Sequence, residues 1–298
     1  MNLRASAKRF FPRNPRMIGS ALAALAVLTA TATACGGSDT GGHESDGVPF
    51  KTAEKGHLTV TYSESYLPKI ATGEEGELIG YEGFLLTKVA EKYGLKLKLK
   101  PTEFASQVLF VSQGKADVGT GTYYTDKRAK QVFYSRPNVN DRLGALMLKN
   151  ASWSGVDSLK GKPIASVTGY SYNDYLIKAY GESNVKLFPS YAEAAKATLN
   201  KQVSAFMGST GTAPGIIKQN PQLTLHALAD GDLDLPANIL VSPTYDYVRC
   251  DNAGLADAVD EVLDELIESG EWQKQLDSWG VGGEEYLPSR NRPDQLCA

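Results

Sequence analysis

From residue 57 onward, short stretches with the two-residue period of a strand alternate with longer stretches of helical period. This alternation restricts the possible folds more than any other feature. Residues 58–62 have the pattern of a strand, and the apolar residues of 84–93 fall on one face of a helix that Gly94 ends. Further strands are predicted at 95–99, 116–120, 163–167, 185–188 and 203–207. Strands that alternate with helices in this way indicate an α/β architecture.

The predicted elements form two series that are separated near residue 150 and followed by a helix at 253–269. We therefore expect residues 56–148 to begin a first lobe, residues 149–238 to form a second lobe, and residues 239–298 to return to the first. The candidate crossover strands are 143–149 and 237–242, and a pair of crossovers between two lobes acts as a hinge.

The N-terminus has the pattern of a secretory signal. Residues 1–16 carry five basic residues and no acid, and the apolar run 17–30 is too short to span a bilayer. Ala32-Thr33-Ala34 then precedes Cys35 and resembles the lipobox of bacterial lipoproteins, although the usual leucine is Ala32. The resemblance implies that residues 1–34 are removed and that Cys35 is diacylated, which anchors a protein stably. The alternative is an incidental cysteine in an ordinary signal.

Residues 35–55 are rich in glycine, serine and acidic residues and are predicted to form a flexible tether. Removing residues 1–34 takes away five of the 31 basic residues and none of the 34 acidic ones, so the formal net charge changes from −3 to −8. An acidic protein without a basic face is not expected to bind nucleic acid.

Export would place Cys250 and Cys297 in an oxidising compartment, where they can form a disulfide; two free thiols are the alternative. The three cysteines and three histidines have no zinc-ligand spacing, and no glycine-rich loop follows a strand at the spacing that nucleotides require. We therefore predict neither a metal nor a cofactor.

Residues 121–137 (GTYYTDKRAKQVFYSRP) resemble the signature of the family 3 extracellular solute-binding proteins that feed amino-acid ABC transporters. Thr125 and Arg128 match T-x-x-R, and Phe133 and Pro137 match F-S-x-P with one extra residue. Other segments resemble the family in the same order over nearly all of residues 57–280; they include QGKAD (113–117), LKGKPIASVTGYS (159–171) and ESGEWQKQLDSWG (268–280). The resemblance implies a two-lobed periplasmic-binding-protein-like fold. It also implies a monomer that captures a carboxylate-bearing solute and docks on a membrane permease.

In this family the carboxylate of the ligand binds the arginine of T-x-x-R, which is Arg128 here. A guanidinium is a planar fork that binds a carboxylate bidentately, and Thr125 or Asp126 would cap the helix that holds it. The alternative for Arg128 is a surface ion pair on its own helix.

Tyr170 and Ser171 lie between a strand and a helix, where free backbone N–H groups can receive the same carboxylate from the second lobe. Ser171 is otherwise an ordinary N-cap. The resemblance also implies that Tyr66 and Phe104 provide aromatic walls; both rings are otherwise part of the core.

The chain departs from the family at two places. Gly121 and Tyr123 replace the usual serine or threonine before T-x-x-R, and Ser209 replaces the aspartate that pairs with the ammonium of the ligand. Burying an ammonium without a carboxylate partner is costly. The ligand is therefore either an amino acid whose ammonium meets Glu64 or a tyrosine face, or a carboxylate without an α-ammonium.

Two other functions would use the same scaffold. Cyclic-acid dehydratases resemble this family, but such an enzyme needs a general acid or base, and Glu64 is the one candidate, with no histidine beside it. A lipid-tethered sensor would use the same cleft as a transport protein. We expect capture of a solute without chemistry.

Overall fold

A computed structural model describes residues 43–44, 47–63 and 67–297 of the chain. The predicted lipidation site Cys35 and the predicted ligand contacts Glu64 and Tyr66 lie outside these residues. None of the described helices is long and apolar enough to cross a membrane.

The described elements alternate between strands and helices, as the sequence indicates. The strands are β1 (His43–Glu44), β2 (Lys51–Thr52), β3 (His57–Tyr62), β4 (Ala71–Thr72), β5 (Leu78–Ile79), β6 (Lys96–Pro101), β7 (Val118–Tyr123), β8 (Val132–Leu148), β9 (Ile164–Val167), β10 (Val185–Phe188), β11 (Ala205–Ser209), β12 (Leu223–Ala227) and β13 (Val241–Arg249). The helices are α1 (Tyr81–Lys92), α2 (Phe104–Ser112), α3 (Asp126–Ala129), α4 (Asn173–Tyr180), α5 (Tyr191–Leu199), α6 (Ala213–Gln219), α7 (Ala237–Leu240), α8 (Ala253–Glu268) and α9 (Glu271–Ser278).

The long strand β8 belongs to the sheets of both lobes. In the first lobe the strand order is β6-β3-β7-β13-β8, with β3 parallel to β6 and β7, and β13 antiparallel to β7 and β8. In the second lobe the order is β10-β9-β11-β8, and β12 also pairs with β8. This is the two-lobed α/β fold that the sequence predicts.

The point at which the chain crosses between lobes differs from the predicted one. Residues 132–142 of β8 pair with β13, and residues 143–148 pair with β11 and β12. The crossing therefore lies at Asp141 and Arg142, opposite Ser242 and Val241. The predicted crossover strand 143–149 lies within the second lobe. Strand β8 is continuous through the crossing, so its two-residue side-chain period does not change where its partner strands change, and the sequence pattern does not mark that point.

The predicted return strand 237–242 is also corrected. Residues 237–240 form the short helix α7, and β13 begins at Val241. A short apolar segment such as Ala237–Leu240 fits a helical turn as well as a strand, so its period does not separate the two.

Helices α1 and α8 bury the apolar faces that their periods predict. Leu85 and Val89 of α1, and Leu255 and Leu263 of α8, have at most 1% of their surface exposed and belong to one core cluster. Such burial is the main favourable contribution to folding.

The predicted tether ends earlier than expected. Phe50 is 5% exposed and packs in an edge-to-face contact against Tyr93. The Lys51 N–H donates to Asn252 Oδ1 at 3.1 Å, and Asn252 Nδ2 donates back to the Lys51 carbonyl at 2.9 Å. Residues 48–55 therefore pack on the first lobe, because one aromatic ring and backbone hydrogen bonds outweigh a polar composition.

The C-terminal segment lies against the same lobe. Cys250 and Cys297 are joined by a disulfide that closes a loop of 47 residues in sequence separation. Arg292 forms ion pairs with Asp260 at 2.6 Å and Asp257 at 2.7 Å, and the Tyr134 N–H donates to Gln295 Oε1.

Candidate functional site

A small cavity lies between the two lobes, and its lining contains most of the predicted ligand contacts. The described residues that line it are Phe104, Gly121, Tyr123, Arg128, Tyr170, Ser171, Tyr172 and Ser209. The cavity measures about 10 Å³, which is space for roughly one water molecule. It adjoins a groove of about 580 Å³ that shares Phe104, Arg128, Tyr170 and Ser171. An amino-acid-sized solute does not fit in the volume of the inner cavity.

Arg128 is held in the cleft by a short helix. Thr125 caps α3, and its Oγ1 accepts a hydrogen bond from the N–H of Arg128 at 3.2 Å. The guanidinium donates to the carbonyl of Tyr123 at 2.8 Å and, across the cleft, to the carbonyl of Gly169 at 2.8 Å. These bonds use two of its five N–H groups. Burial lowers the pKa of Arg128 from its usual value.

The turn that faces Arg128 comes from the second lobe. Gly169 has a φ of +87°, and a Cβ at this position would lie 3.2 Å from Cα of Ala105 in the first lobe, so glycine allows the close approach. The N-cap of α4 is Tyr172, which makes no side-chain cap bond. Ser171 is therefore not the capping residue, and its buried Oγ has no hydrogen-bond partner among the described residues.

Aromatic rings form most of the remaining wall. Tyr170 packs edge-to-face against Phe104 at 4.9 Å and against Tyr172 at 5.2 Å, and Phe104 lies under the Arg128 guanidinium at 5.4 Å. The sequence reasoning missed Tyr172. Its place beside Tyr170 in the same turn was the available signal.

Position 121 has little room for a side chain, because a buried carboxylate lies against it. Its φ is +63°, and a Cβ there would come within 3.0 Å of Glu82 Oε2. Asn138 Nδ2 lies 3.5 Å from Glu82 Oε1 and 3.4 Å from Asp246 Oδ2. Burial raises the pKa of Glu82 to about 7 and raises that of Asp246 well above its usual range. Both buried acids therefore keep their protons to a higher pH than exposed carboxyl groups do.

Where the family has an aspartate, Ser209 has a hydroxyl that binds the carboxylate of another residue. Its Oγ donates to Oδ2 of Asp141, which lies at the crossing of β8 between the lobes. Lys69 Nζ lies 3.0 Å from the same oxygen, and both side chains are completely buried. The sequence motifs identified neither Asp141 nor Lys69; the one available signal was a lysine within the apolar segment Leu67–Ala71.

The described residues contain no group of three or more histidine, cysteine or acidic side chains placed to hold a metal ion. The described residues that line the cavity provide one guanidinium, backbone N–H groups, hydroxyls and aromatic faces.

Comparison with known proteins places the chain among binding proteins. Residues 58–282 match the model of the bacterial extracellular solute-binding proteins, family 3. The chain is 26% identical over 231 residues to the arginine-binding periplasmic protein of Mannheimia haemolytica, covering 75% of this chain and 91% of that protein. The solved structure of an ancestral arginine-binding protein bound to arginine is 26% identical, with a TM-score of 0.64, over 76% of this chain and 98% of that one.

A relative with another role is the virulence sensor protein BvgS of Bordetella pertussis. It is 26% identical over 224 residues, which are 75% of this chain but only 17% of the sensor. The family match covers most of the chain and includes both lobes. The chain belongs to the bacterial extracellular solute-binding proteins, family 3.

Proposed function

We propose that this protein is the lipid-anchored substrate-binding component of an ABC importer and captures a small solute that carries a carboxylate, an amino acid or a related acid. The observation that carries the proposal is the position of Arg128. Its guanidinium faces a turn of the opposite lobe, where the buried hydroxyl of Ser171 has no partner among the described residues. Both groups can bind one carboxylate, and binding from both sides would hold the lobes together.

Capture then works as a shift between open and closed forms. A ligand favours the closed form only through contacts that the open form lacks, and here such contacts come from Arg128 in one lobe and the 169–171 turn in the other. The closed form would be the one that a membrane permease recognises. No bond of the solute needs to change.

Two observations favour capture over catalysis. The described residues that line the cavity include no carboxylate and no imidazole to serve as a general acid or base, and the candidate Glu64 lies outside the described residues. The arginine-binding relatives are named as binding proteins.

A sensory role is the second candidate, because a related segment occurs in a virulence sensor protein. The neighbouring genes separate the two roles. A permease and an ATPase beside the gene would support import, and a kinase or cyclase would support sensing.

Arg128 provides the direct test of the site. We expect Arg128→Met to weaken carboxylate binding about 100-fold or more, because two charge-assisted hydrogen bonds are lost. Arg128→Lys should weaken it about tenfold, since an ammonium cannot bind bidentately. Isothermal titration with the α-amino acids and their 2-oxo and 2-hydroxy counterparts measures both effects.

The matched control is Arg292→Met, which removes an arginine from ion pairs with Asp257 and Asp260. Its affinity should equal that of the wild type. Unchanged carboxylate affinity in Arg128→Met would contradict the proposed site. Native mass spectrometry of the purified protein identifies any solute that co-purifies.

A further inference from the structure

Lys69 and Asp141 form a buried ion pair directly behind the wall of the cleft. Lys69 Nζ lies 3.0 Å from Asp141 Oδ2, and neither side chain has any exposed surface. On the cleft side, Ser209 Oγ donates to the same Oδ2, and Lys69 Nζ lies 5.8 Å from the centre of the Tyr123 ring. Ser209 and Tyr123 both line the cavity, so one layer of side chains lies between the ion pair and the cavity.

The carboxylate of Asp141 is saturated by the protein itself. Its Oδ1 accepts from the N–H of Gly211 at 2.8 Å, from the N–H of Arg142 at 3.0 Å and from Thr210 Oγ1 at 3.2 Å. Its Oδ2 receives Ser209 and Lys69. An ionised carboxylate has about four lone-pair sites. Asp141 therefore has no acceptor capacity left for an ammonium of the ligand.

The charges around the described cavity make an added cation unfavourable. The described lining residues include the cation Arg128 and no acid, Lys69 lies just behind them, and Glu82, which lies against Gly121, has a pKa that burial raises to about 7. An α-ammonium in this cavity would lose its water shell without gaining a carboxylate partner among the described lining residues. A neutral oxo or hydroxyl group in the same place loses much less on desolvation. Either group can accept from the Ser171 hydroxyl, which has no partner among the described residues, and a ligand hydroxyl can donate to Ser209 Oγ, whose own proton goes to Asp141.

We propose that Lys69 takes the place of a ligand ammonium as the cation that pairs with Asp141. Because this cation is part of the protein, the cleft selects carboxylates without an α-ammonium over α-amino acids. The class of ligand is a 2-oxo acid, a 2-hydroxy acid or a simple carboxylate. The inference rests on the proposed function, because it takes Arg128 as the carboxylate site. Lys69 and Asp141 act through Ser209 and Tyr123 and are positioning residues for specificity.

The first test compares the α-amino acids with their 2-oxo and 2-hydroxy counterparts by isothermal titration of the wild-type protein. We expect the best deaminated acid to bind at least about tenfold more tightly than its amino acid. Equal or tighter binding of the amino acid overturns this inference and leaves the proposed function standing. Binding of neither group overturns both.

The second test changes the ion pair. In Lys69→Met the carboxylate of Asp141 loses its internal cation, and we expect α-amino acids to gain at least about tenfold in affinity relative to their deaminated counterparts. An unchanged preference in a folded Lys69→Met variant overturns the inference. Lys98→Met, which removes an exposed lysine paired with Glu54, is the control and should behave as the wild type.

Because the single variant leaves a buried charge without its partner, it is paired with Lys69→Met/Asp141→Asn. The double variant removes both charges and keeps side chains of similar size. It should retain the preference for deaminated acids, since it provides no anion for an ammonium. A double variant that prefers α-amino acids would overturn the proposal even if the single variant does not fold.

Discussion

At the scale of single residues, the most unusual environment belongs to Glu82, which is completely buried beside Gly121 and near a second buried acid, Asp246. Desolvation is the largest cause that raises the pKa of Glu82 to about 7. The charge of Lys69 opposes this shift, and the charge of Asp141 adds to it. The folded protein therefore holds a proton on Glu82 at a pH where the unfolded chain has released it.

The raised pKa predicts how stability depends on pH. Because the folded state binds more protons between pH 4.5 and about 7, the contribution of Glu82 is fully present at low pH and is lost as pH rises through this range. A rise of the pKa from 4.5 to about 7 corresponds to roughly 3 kcal/mol of stability. We expect Glu82→Gln to remove this dependence, so that its stability relative to wild type increases from pH 4.5 to pH 7.5.

Urea unfolding at a series of pH values measures this effect. Glu268→Gln, on the exposed end of α8, is the matched control and should follow the wild-type curve. Parallel curves for Glu82→Gln and the wild type would show that Glu82 does not carry the proton.

At the scale of elements, the four-residue helix α3 determines where Arg128 points. A helix of this length has little stability of its own, so its cap and its packing hold it in place. The sequence allowed Thr125 or Asp126 as the cap, and the structure uses Thr125, whose Oγ1 accepts from the N–H of Arg128 itself. Loss of this cap therefore acts on the ligand-binding residue directly.

We expect Thr125→Ala to lower the free energy of unfolding by about 1 kcal/mol and to weaken carboxylate binding several-fold, because Arg128 loses its fixed position. Thr125→Ser keeps the hydroxyl and should restore both values. Chemical denaturation and isothermal titration measure the two quantities separately.

Ser190→Ala is the matched control, because Ser190 caps α5 through the N–H of Glu193 in the same way and does not line the cavity. It should lose a similar stability without any change in affinity. Equal losses of affinity in both variants would mean that the effect is general and does not act through Arg128.

At the scale of the whole molecule, the protein is two lobes that share one long strand, and the proposed function requires them to separate and close around a solute. The proposed function adds a lipid anchor at Cys35, joined to the first lobe through a segment that is shorter than residues 35–55, since Phe50 is already buried. We expect mass spectrometry of the N-terminal peptide to show loss of residues 1–34 and a covalent addition of acyl chains at Cys35.

We expect a Cys35→Ala variant to be found in the soluble fraction and not in the membrane fraction, because Cys35 is the one proposed attachment site of the acyl chains. Ser38→Ala, three residues further on, should remain with the membrane. Membrane association of Cys35→Ala that matches the wild type would contradict a lipid anchor.

The sequence alone determined the α/β alternation, the faces of α1 and α8 and the order of the family motifs. Each depends on residues close together in the chain, where a two-residue or helical period is directly visible. The motifs also named Arg128, Ser171, Phe104 and Ser209 before the fold brought them to one cavity.

Only the tertiary structure shows where β8 passes from one lobe to the other. It alone also shows that Glu82 lies against Gly121 and that Asp141 accepts a hydrogen bond from Ser209. Lys69 and Asp141 lie far apart in the chain and belong to no shared pattern, yet they are 3.0 Å apart in the fold. A contact of this kind depends on strand order and on complete burial of both charges, and neither property has a local signature in the sequence. The departure from the family motif at Ser209 left both an amino acid and a carboxylate without an α-ammonium open, and the ligand class we propose depends on that buried contact.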